Sequence, residues 1–316
     1  MYEQFYGFKE KPFNNNPDPR FFYPSPKHAE ALNRLLYAVQ ERKGFIVVTG
    51  EIGSGKTTVC RALLKKIDEE GYEVCLITNT HLSSKELIIA ILEDLRVPYK
   101  SGTKVKLLAQ LNDFLLQKMQ EGKNIILIVD EAQNLTPSVL EEVRMLSNLE
   151  TDTEKLMQII LIGQPQLREK LKLKDLEQFR QRIAVHYHLY PLSMDEMVGY
   201  INHRLGIVLQ NGDKDIFSPE AMQLAFEFSK GVPRLINYAC DSALLSGFVY
   251  EKKQIDQLIM HEAVNESHLK LEDEKATTQC CPQCQQFEGC QTRECRSQKG
   301  EEQLCCQTCL KYHSCH

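Results

Sequence analysis

No stretch of this 316-residue sequence approaches the ~18 consecutive apolar residues that a membrane-spanning helix needs. The longest apolar runs, Phe45–Val48 and Ile125–Val129, are strand-sized. Excess positive charge is missing too. Against 43 Asp and Glu stand 38 Lys and Arg, a net charge of −5, so the chain has no global basic footprint for nucleic acid, although a local patch could hide within that balance. The first residues, MYEQFYGFKEKPF, lack the charged n-region and long apolar h-region of a signal peptide. The expectation is a cytosolic protein. Cysteine is scarce through residue 279, where Cys60, Cys75 and Cys240 stand far apart and read as small buried hydrophobes. The other nine of the twelve crowd between Cys280 and Cys315. A reducing compartment disfavours disulfides, so that crowding calls for another cause.

The length suggests about two domains. Residues 1–26, rich in Pro, Asn and aromatics, read as an extended segment lying on the body of the protein. Ala31, Leu32, Leu35, Leu36 and Val39 then recur at helical spacing. From there short apolar runs alternate with helices: 45–49, 73–78, 125–129, 156–162 and 184–189 are the strands, with helices expected to about 70, near 84–95 and 104–121, from Pro137, and near 164–171. Five such runs imply a parallel sheet covered on both faces. After Pro191 the strands stop. Met197, Ile201, Leu205 and Val208 share a helical face, Ser218-Pro219 offers an N-cap and first helical position, Pro233 opens another helix, and 254–268 forms a last one. The expected organisation is an α/β nucleotide-binding core over 1–191, a small all-helical lid domain over 192–268, a charged linker over 269–279, and a Cys-rich module over 280–316.

Gly50-Glu51-Ile52-Gly53-Ser54-Gly55-Lys56-Thr57 is a complete G-x-x-x-x-G-K-[ST] phosphate loop, continued by Thr58, after a predicted strand and at the start of a helix. Its glycines let successive backbone N–H groups turn inward around phosphate oxygens, and the helix adds the positive end of its dipole. Lys56 is expected at the β- and γ-phosphates of ATP and Thr57 on Mg²⁺. The run Ile125–Val129 delivers Asp130 beside the metal and Glu131 where it can polarise the attacking water. Arg234, opening a helix in Gly231-Val232-Pro233-Arg234, would project toward the nucleotide. Arg180 and Arg182, just before the last strand, would face a neighbouring subunit. By residue chemistry alone these arginines read equally well as solvated surface charges.

Taken together, GEIGSGKTT, LIVDEAQ, LIGQP, QRI and GVPR resemble the AAA+ ATPases. The segment FYGFKEKPFNNNPDPRFFYPSPKH, with LIGQPQL, is similar to the ExeA/GspA group of secretion-associated ATPases, to which the TniB-like transposition helpers are related. The resemblance covers about residues 1–268. It implies a parallel five-stranded AAA+ core with a helical lid, Asp130 on the metal, Glu131 as catalytic base, Gln164 at the sensor-1 strand end, Arg182 as the finger acting on a neighbour in a homo-oligomer, and Arg234 as sensor 2.

The tail carries a duplication: Cys280-Cys281-x2-Cys284-x5-Cys290 recurs 25 residues later as Cys305-Cys306-x2-Cys309-x5-Cys315. Paired C-x2-C knuckles match structural Zn²⁺ sites, with Cys281, Cys284, Cys290, Cys306, Cys309 and Cys315 as ligands and His313 or His316 in reserve. A disordered, redox-labile tail and a disulfide cluster are the alternatives. Two functions fit the whole chain. One is an ATPase driving a switch for a protein partner in an envelope assembly, such as secretion or pilus biogenesis. The other is an ATP-dependent DNA-binding helper with the tail as adaptor. A scaffold that binds ATP without turnover fits poorly with the intact Asp130-Glu131 pair.

Overall fold

The computed structural model describes residues 1–265, apart from 17, 68–70, 152–153 and 210–214. The linker 269–279 and the Cys-rich tail, with all six candidate zinc ligands, lie outside the described residues.

Five strands, β1 (Phe45–Gly50), β2 (Tyr72–Ile77), β3 (Asn124–Val129), β4 (Met157–Gly163) and β5 (Ile183–Leu189), form one sheet in the order β2-β3-β4-β1-β5, every neighbouring pair parallel. Parallel pairing needs helical crossovers, which cover both faces and explain why the central strands β1, β3 and β4 read as largely apolar runs, while the edge strands β2 and β5 carry Glu73, His186 and His188. Side chains still alternate between the faces. Phe45 and Val47 of β1 point into one core, with α4 (Ser84–Asp94), α5 (Lys104–Gln120), α6 (Pro137–Leu146), α7 (Pro165–Leu171) and α8 (Glu177–Gln181). Ile46 and Val48 point into the other, against α2 (Pro26–Gln40) and α3 (Lys56–Ile67). Each fully buried Val, Leu or Ile contributes roughly 1.5–3 kcal/mol.

Helix starts follow local chemistry. Ser25 caps α2, Thr136 caps α6 ahead of Pro137, and Ser83 forms a capping box with Glu86 at α4. Helix α8 was not expected from the sequence, because in five residues it buries one large side chain, Phe179, and shows no periodicity. Cys60, Cys75 and Cys240 are buried and unpaired, and burial pushes the Cys60 thiol up to about 12.

Four further helices, α9 (Met194–Val208), α10 (Pro219–Ser229), α11 (Pro233–Val249) and α12 (Gln257–Asn265), share an apolar cluster of their own. The N-terminal segment lies on the body of the protein, as expected, but it is not extended throughout, and its aromatics enter that cluster. Residues Tyr2–Tyr6 form a short helix, α1, and Tyr2, Tyr6, Phe8, Phe13 and Phe21 are buried among α9–α12. Apolar rings at positions 2, 5 and 6 make one helical face, a spacing easily missed in so short a run. Arg204 of α9 clamps the segment down. Its guanidinium is buried over the Phe21 ring, 4.7 Å from the centroid. It donates to the carbonyls of Pro12 (2.6 Å) and Asn14 (2.8 Å), to the Tyr200 hydroxyl (2.6 Å) and to Asn237 Oδ1 (3.3 Å). A buried charge survives only with its donors satisfied, and here the carbonyls of an otherwise irregular strap satisfy them. Among the described residues no helix is long and apolar enough to cross a membrane.

Candidate active site

Strand order reverses at β1, which lies between β4 and β5, and the loops leaving the carboxyl ends of β1, β3 and β4 meet there. This is where open parallel sheets bind ligands. The chain leaves β1 at Gly50 and turns through residues 51–55 into α3. Gly53 and Gly55 have φ of +77° and +95°, and a Cβ on Gly53 would lie 2.5 Å from Arg234 Cβ. Both the backbone conformation and the close approach therefore require glycine. Lys56 folds its buried side chain back over the loop and donates to the Gly50 carbonyl (2.9 Å) and the Glu51 carbonyl (2.8 Å). Burial holds its pKa down, opposed by the charges of Glu131, Asp130 and Glu51.

Beyond β3, the Asp130 amide donates to the Ile77 carbonyl at 2.9 Å, which sets the direction of the turn. Asp130 Oδ1 accepts from the Glu131 amide (2.9 Å) and Oδ2 from Thr57 Oγ1 (3.4 Å). Burial pushes the Asp130 carboxyl up, with the neighbouring Glu131 charge adding to that and the Glu131 amide, Thr57 and Lys56 working against it. Glu131 sits in the left-handed region at φ 52°, an uncommon conformation for a residue with a side chain. Two amides hold its carboxylate: Gln133 Nε2 and Gln164 Nε2 donate to Oε2 at 2.5 and 3.1 Å. Gln133 Oε1 in turn accepts from the Gln164 amide at 3.0 Å. Lys170 fastens this turn by donating to the carbonyls of Gln133 and Leu135.

Arg234, at the start of α11, donates its backbone N–H to the Gly53 carbonyl at 3.3 Å, joining the helical cluster to the phosphate loop. A cavity of about 490 Å³ runs from Lys56, Thr57, Thr58, Glu131 and Gln164 past Ile52 and Arg234 to Asn14, Asn15 and Asn16 of the N-terminal strap. That volume lies within the range of small-molecule and cofactor sites. Sequence reasoning thus placed Lys56, Thr57, Asp130, Glu131, Gln164 and Arg234 in one group, and the fold brings them together. Arg182 is elsewhere. It precedes β5, whose first residue pairs with Phe45 at the opposite end of β1 from the loop. A six-residue strand separates the two ends by about 20 Å. There Arg182 donates to Ser147 Oγ (3.1 Å) and Asn148 Oδ1, and Arg180 donates to the Lys172 carbonyl (3.5 Å).

Five residues at the site escaped the sequence reading. Gln133 stands two residues after Glu131, a signal visible only once Glu131 is taken as central. The strap residues Asn14–Asn16 show no chemical motif. His28 looks like an ordinary helix residue, yet it is buried against the phosphate loop.

The site suits a polyphosphate with Mg²⁺. Gly53, Gly55, Lys56 and the α3 N-terminus line the cavity where an anion would sit, and Thr57 with Asp130 is an all-oxygen pair of the kind a hard divalent cation takes. Comparison with known proteins agrees. Residues 39–171 match the AAA domain family. General secretion pathway protein A of Aeromonas hydrophila is 44% identical over 249 residues, or 78% of this chain and 45% of that protein, so the chain spans under half the length of that relative. Among solved structures, the Aeropyrum pernix ORC2 protein in its ADPNP-ADP complexes superposes with a TM-score of 0.60 at 17% identity, covering 82% of this chain and 72% of that one. The ORC1 protein of the same organism, solved in complex with DNA, gives 0.59 at 15% identity over 82% and 69%. At such identities the likeness is one of fold. The AAA domain match, the GspA relative and the phosphate-loop geometry agree: residues 39–171 carry an AAA domain, and the chain is similar over 78% of its length to general secretion pathway protein A.

Proposed function

We propose that this chain is an ATPase whose Mg²⁺-dependent hydrolysis of ATP drives a conformational or assembly switch. The observation that carries the reading is the convergence of Lys56, Thr57, Asp130 and Glu131 at the carboxyl ends of β1 and β3. Lys56 and the loop amides bind the β- and γ-phosphates, and Thr57 and Asp130 hold Mg²⁺. When bound, the metal neutralises charge on those phosphates. Glu131, kept in place by Gln133 and Gln164, accepts a proton from the attacking water. Gln164 takes the sensor-1 position, and Arg234 senses the nucleotide from helices α9–α12, which serve with the N-terminal strap as the lid over the five-stranded core. Arg182 lies too far from its own loop to act there, so we assign it to the site of a neighbouring subunit in a homo-oligomer.

A single assay series tests both the activity and the role of Arg182. Hydrolysis per subunit should need Mg²⁺ and should rise with protein concentration as oligomers form. Arg182→Ala and Lys56→Ala proteins, each inactive alone, should recover activity on mixing, because one keeps an intact loop and the other an intact arginine. Turnover by a monomer, independent of concentration, would overturn the assignment of Arg182. Absence of any Mg²⁺-dependent turnover at every concentration would overturn the ATPase.

The 44% identity to general secretion pathway protein A supports envelope machinery as the process served, with the ATPase acting in the cytosol. The likeness to origin-recognition proteins is one of fold and brings no nucleic acid with it. For residues 280–316 the proposal stays with Zn²⁺, on the duplicated cysteine unit alone. Elemental analysis of protein purified without added metal should find one to two zinc ions per chain (order of magnitude from four thiolates per closed site), and a value well below one would refute it.

A further inference from the structure

We infer that His28 is a positioning residue for nucleotide binding, acting through the carbonyl of Ser54 to aim the Gly55 amide at the bound phosphate. The inference rests on the phosphate-loop reading above and adds to it a residue outside the loop motif. His28 occupies the third position of α2 and is buried. Its Nε2 lies 3.1 Å from the Ser54 carbonyl oxygen, and its Nδ1 lies 2.9 Å from Ser25 Oγ.

Proton placement follows from the partners. A carbonyl can only accept, so Nε2 carries the hydrogen. In the neutral ring Nδ1 is then an acceptor, and the Ser25 hydroxyl donates to it. The same oxygen accepts the His28 amide at 3.4 Å as the N-cap of α2, so Ser25 fixes both the helix start and the tautomer. Burial holds the ring below the usual histidine range, which keeps it neutral.

The consequence lies in peptide geometry. Ser54 C=O and Gly55 N–H belong to one planar trans unit and point in opposite directions. A loop that cradles an anion turns its amides inward and its carbonyls outward, toward protein. The outward carbonyl must find a donor once it is buried, and His28 Nε2 is that donor. Without it, the Ser54–Gly55 peptide loses a partner that fixes its plane, and Gly55, at φ +95°, offers little resistance to rotation. A Cβ on Gly55 would lie 3.0 Å from Nε2, so ring and loop are already at contact distance. His28 thereby spares the loop part of the ordering that nucleotide would otherwise impose.

The test compares nucleotide affinity, by titration with a fluorescent ATP analogue, in the wild type, His28→Gln, His28→Asn and His28→Phe. Gln can put an amide nitrogen where Nε2 lies. Asn reaches only the place of Nδ1, and Phe keeps the ring without a donor. Leaving a buried carbonyl unpaired corresponds to a loss of roughly five- to hundredfold. Expected affinities are therefore within about threefold of wild type for Gln and down about tenfold or more for Asn and Phe, with kcat falling less than KM rises. Melting temperatures without nucleotide should stay close among Gln, Asn and wild type, which separates positioning from a general loss of fold. If Phe fails to fold, the Gln and Asn pair decides alone. Equal affinity of Gln and Asn overturns the inference, whether both match the wild type or both are weakened. A wild-type chain that binds no nucleotide overturns the phosphate-loop reading instead, and Lys56→Ala is the control that tells the two failures apart.

Discussion

Replacing Lys56 with alanine is expected to weaken nucleotide binding at least about thirtyfold and to abolish turnover, while leaving the fold intact. The ammonium group is buried at the mouth of the loop, and its hydrogen-bond acceptors among the described residues are two backbone carbonyls. Carbonyl dipoles compensate a buried cation poorly, and its depressed pKa reflects that cost. The side chain is thus held ready for a stronger partner. A β- or γ-phosphate supplies one, and losing a desolvated charge pair of this kind costs about 2–5 kcal/mol, or roughly 30- to several-thousandfold in affinity. The same reasoning gives the sign of the stability change. Without nucleotide, Lys56→Ala should melt within about 4 °C of the wild type, since the net contribution of the buried ammonium to folding is small. With saturating Mg²⁺ and nucleotide the wild type should rise in melting temperature and the variant should not. A variant that still gains stability from nucleotide would remove Lys56 from the site.

How much of this was legible in the sequence depends on how far apart the interacting residues lie. The loop from Gly50 to Thr57 and the Asp130-Glu131 pair are contiguous, and their spacing carries their geometry. The central strands were readable because burial on both faces leaves runs such as Ile125–Val129 without a polar interruption. Arg204 was not readable. It shares a helical face with Ile201, Leu205 and Val208, where a cation looks misplaced, and its acceptors Pro12 and Asn14 lie 192 and 190 residues away. No local pattern encodes such a pairing. His28 was hidden for the same reason, since the Ser54 carbonyl that explains it belongs to another element and carries no side-chain signal. The N-terminal strap was readable only in part: it does lie on the body of the protein, but nothing local said that its aromatics would enter the helical cluster.

Glu131→Gln is expected to separate binding from hydrolysis. The two amides that hold Glu131 both donate to one oxygen, Oε2. A glutamine side chain retains a carbonyl oxygen able to accept both, so the turn after β3, the Gln133–Gln164 contact and the left-handed backbone at residue 131 should all survive the exchange. What disappears is the basic lone pair that takes a proton from water. Removing a positioned general base typically costs 10²- to 10⁴-fold in the chemical step, so steady-state turnover should fall by about that factor. Affinity for ATP should stay within about threefold of the wild type, because Lys56, Thr57 and Asp130 keep their geometry. The variant should therefore accumulate ATP-bound protein and melt higher in Mg²⁺-ATP than the wild type, which converts its ligand to ADP. Quench-flow with radiolabelled ATP reads the chemical step directly, and equilibrium titration reads binding. Turnover within about threefold of wild type would transfer the role of base to another group. A parallel loss of affinity would instead make Glu131 part of the binding contacts.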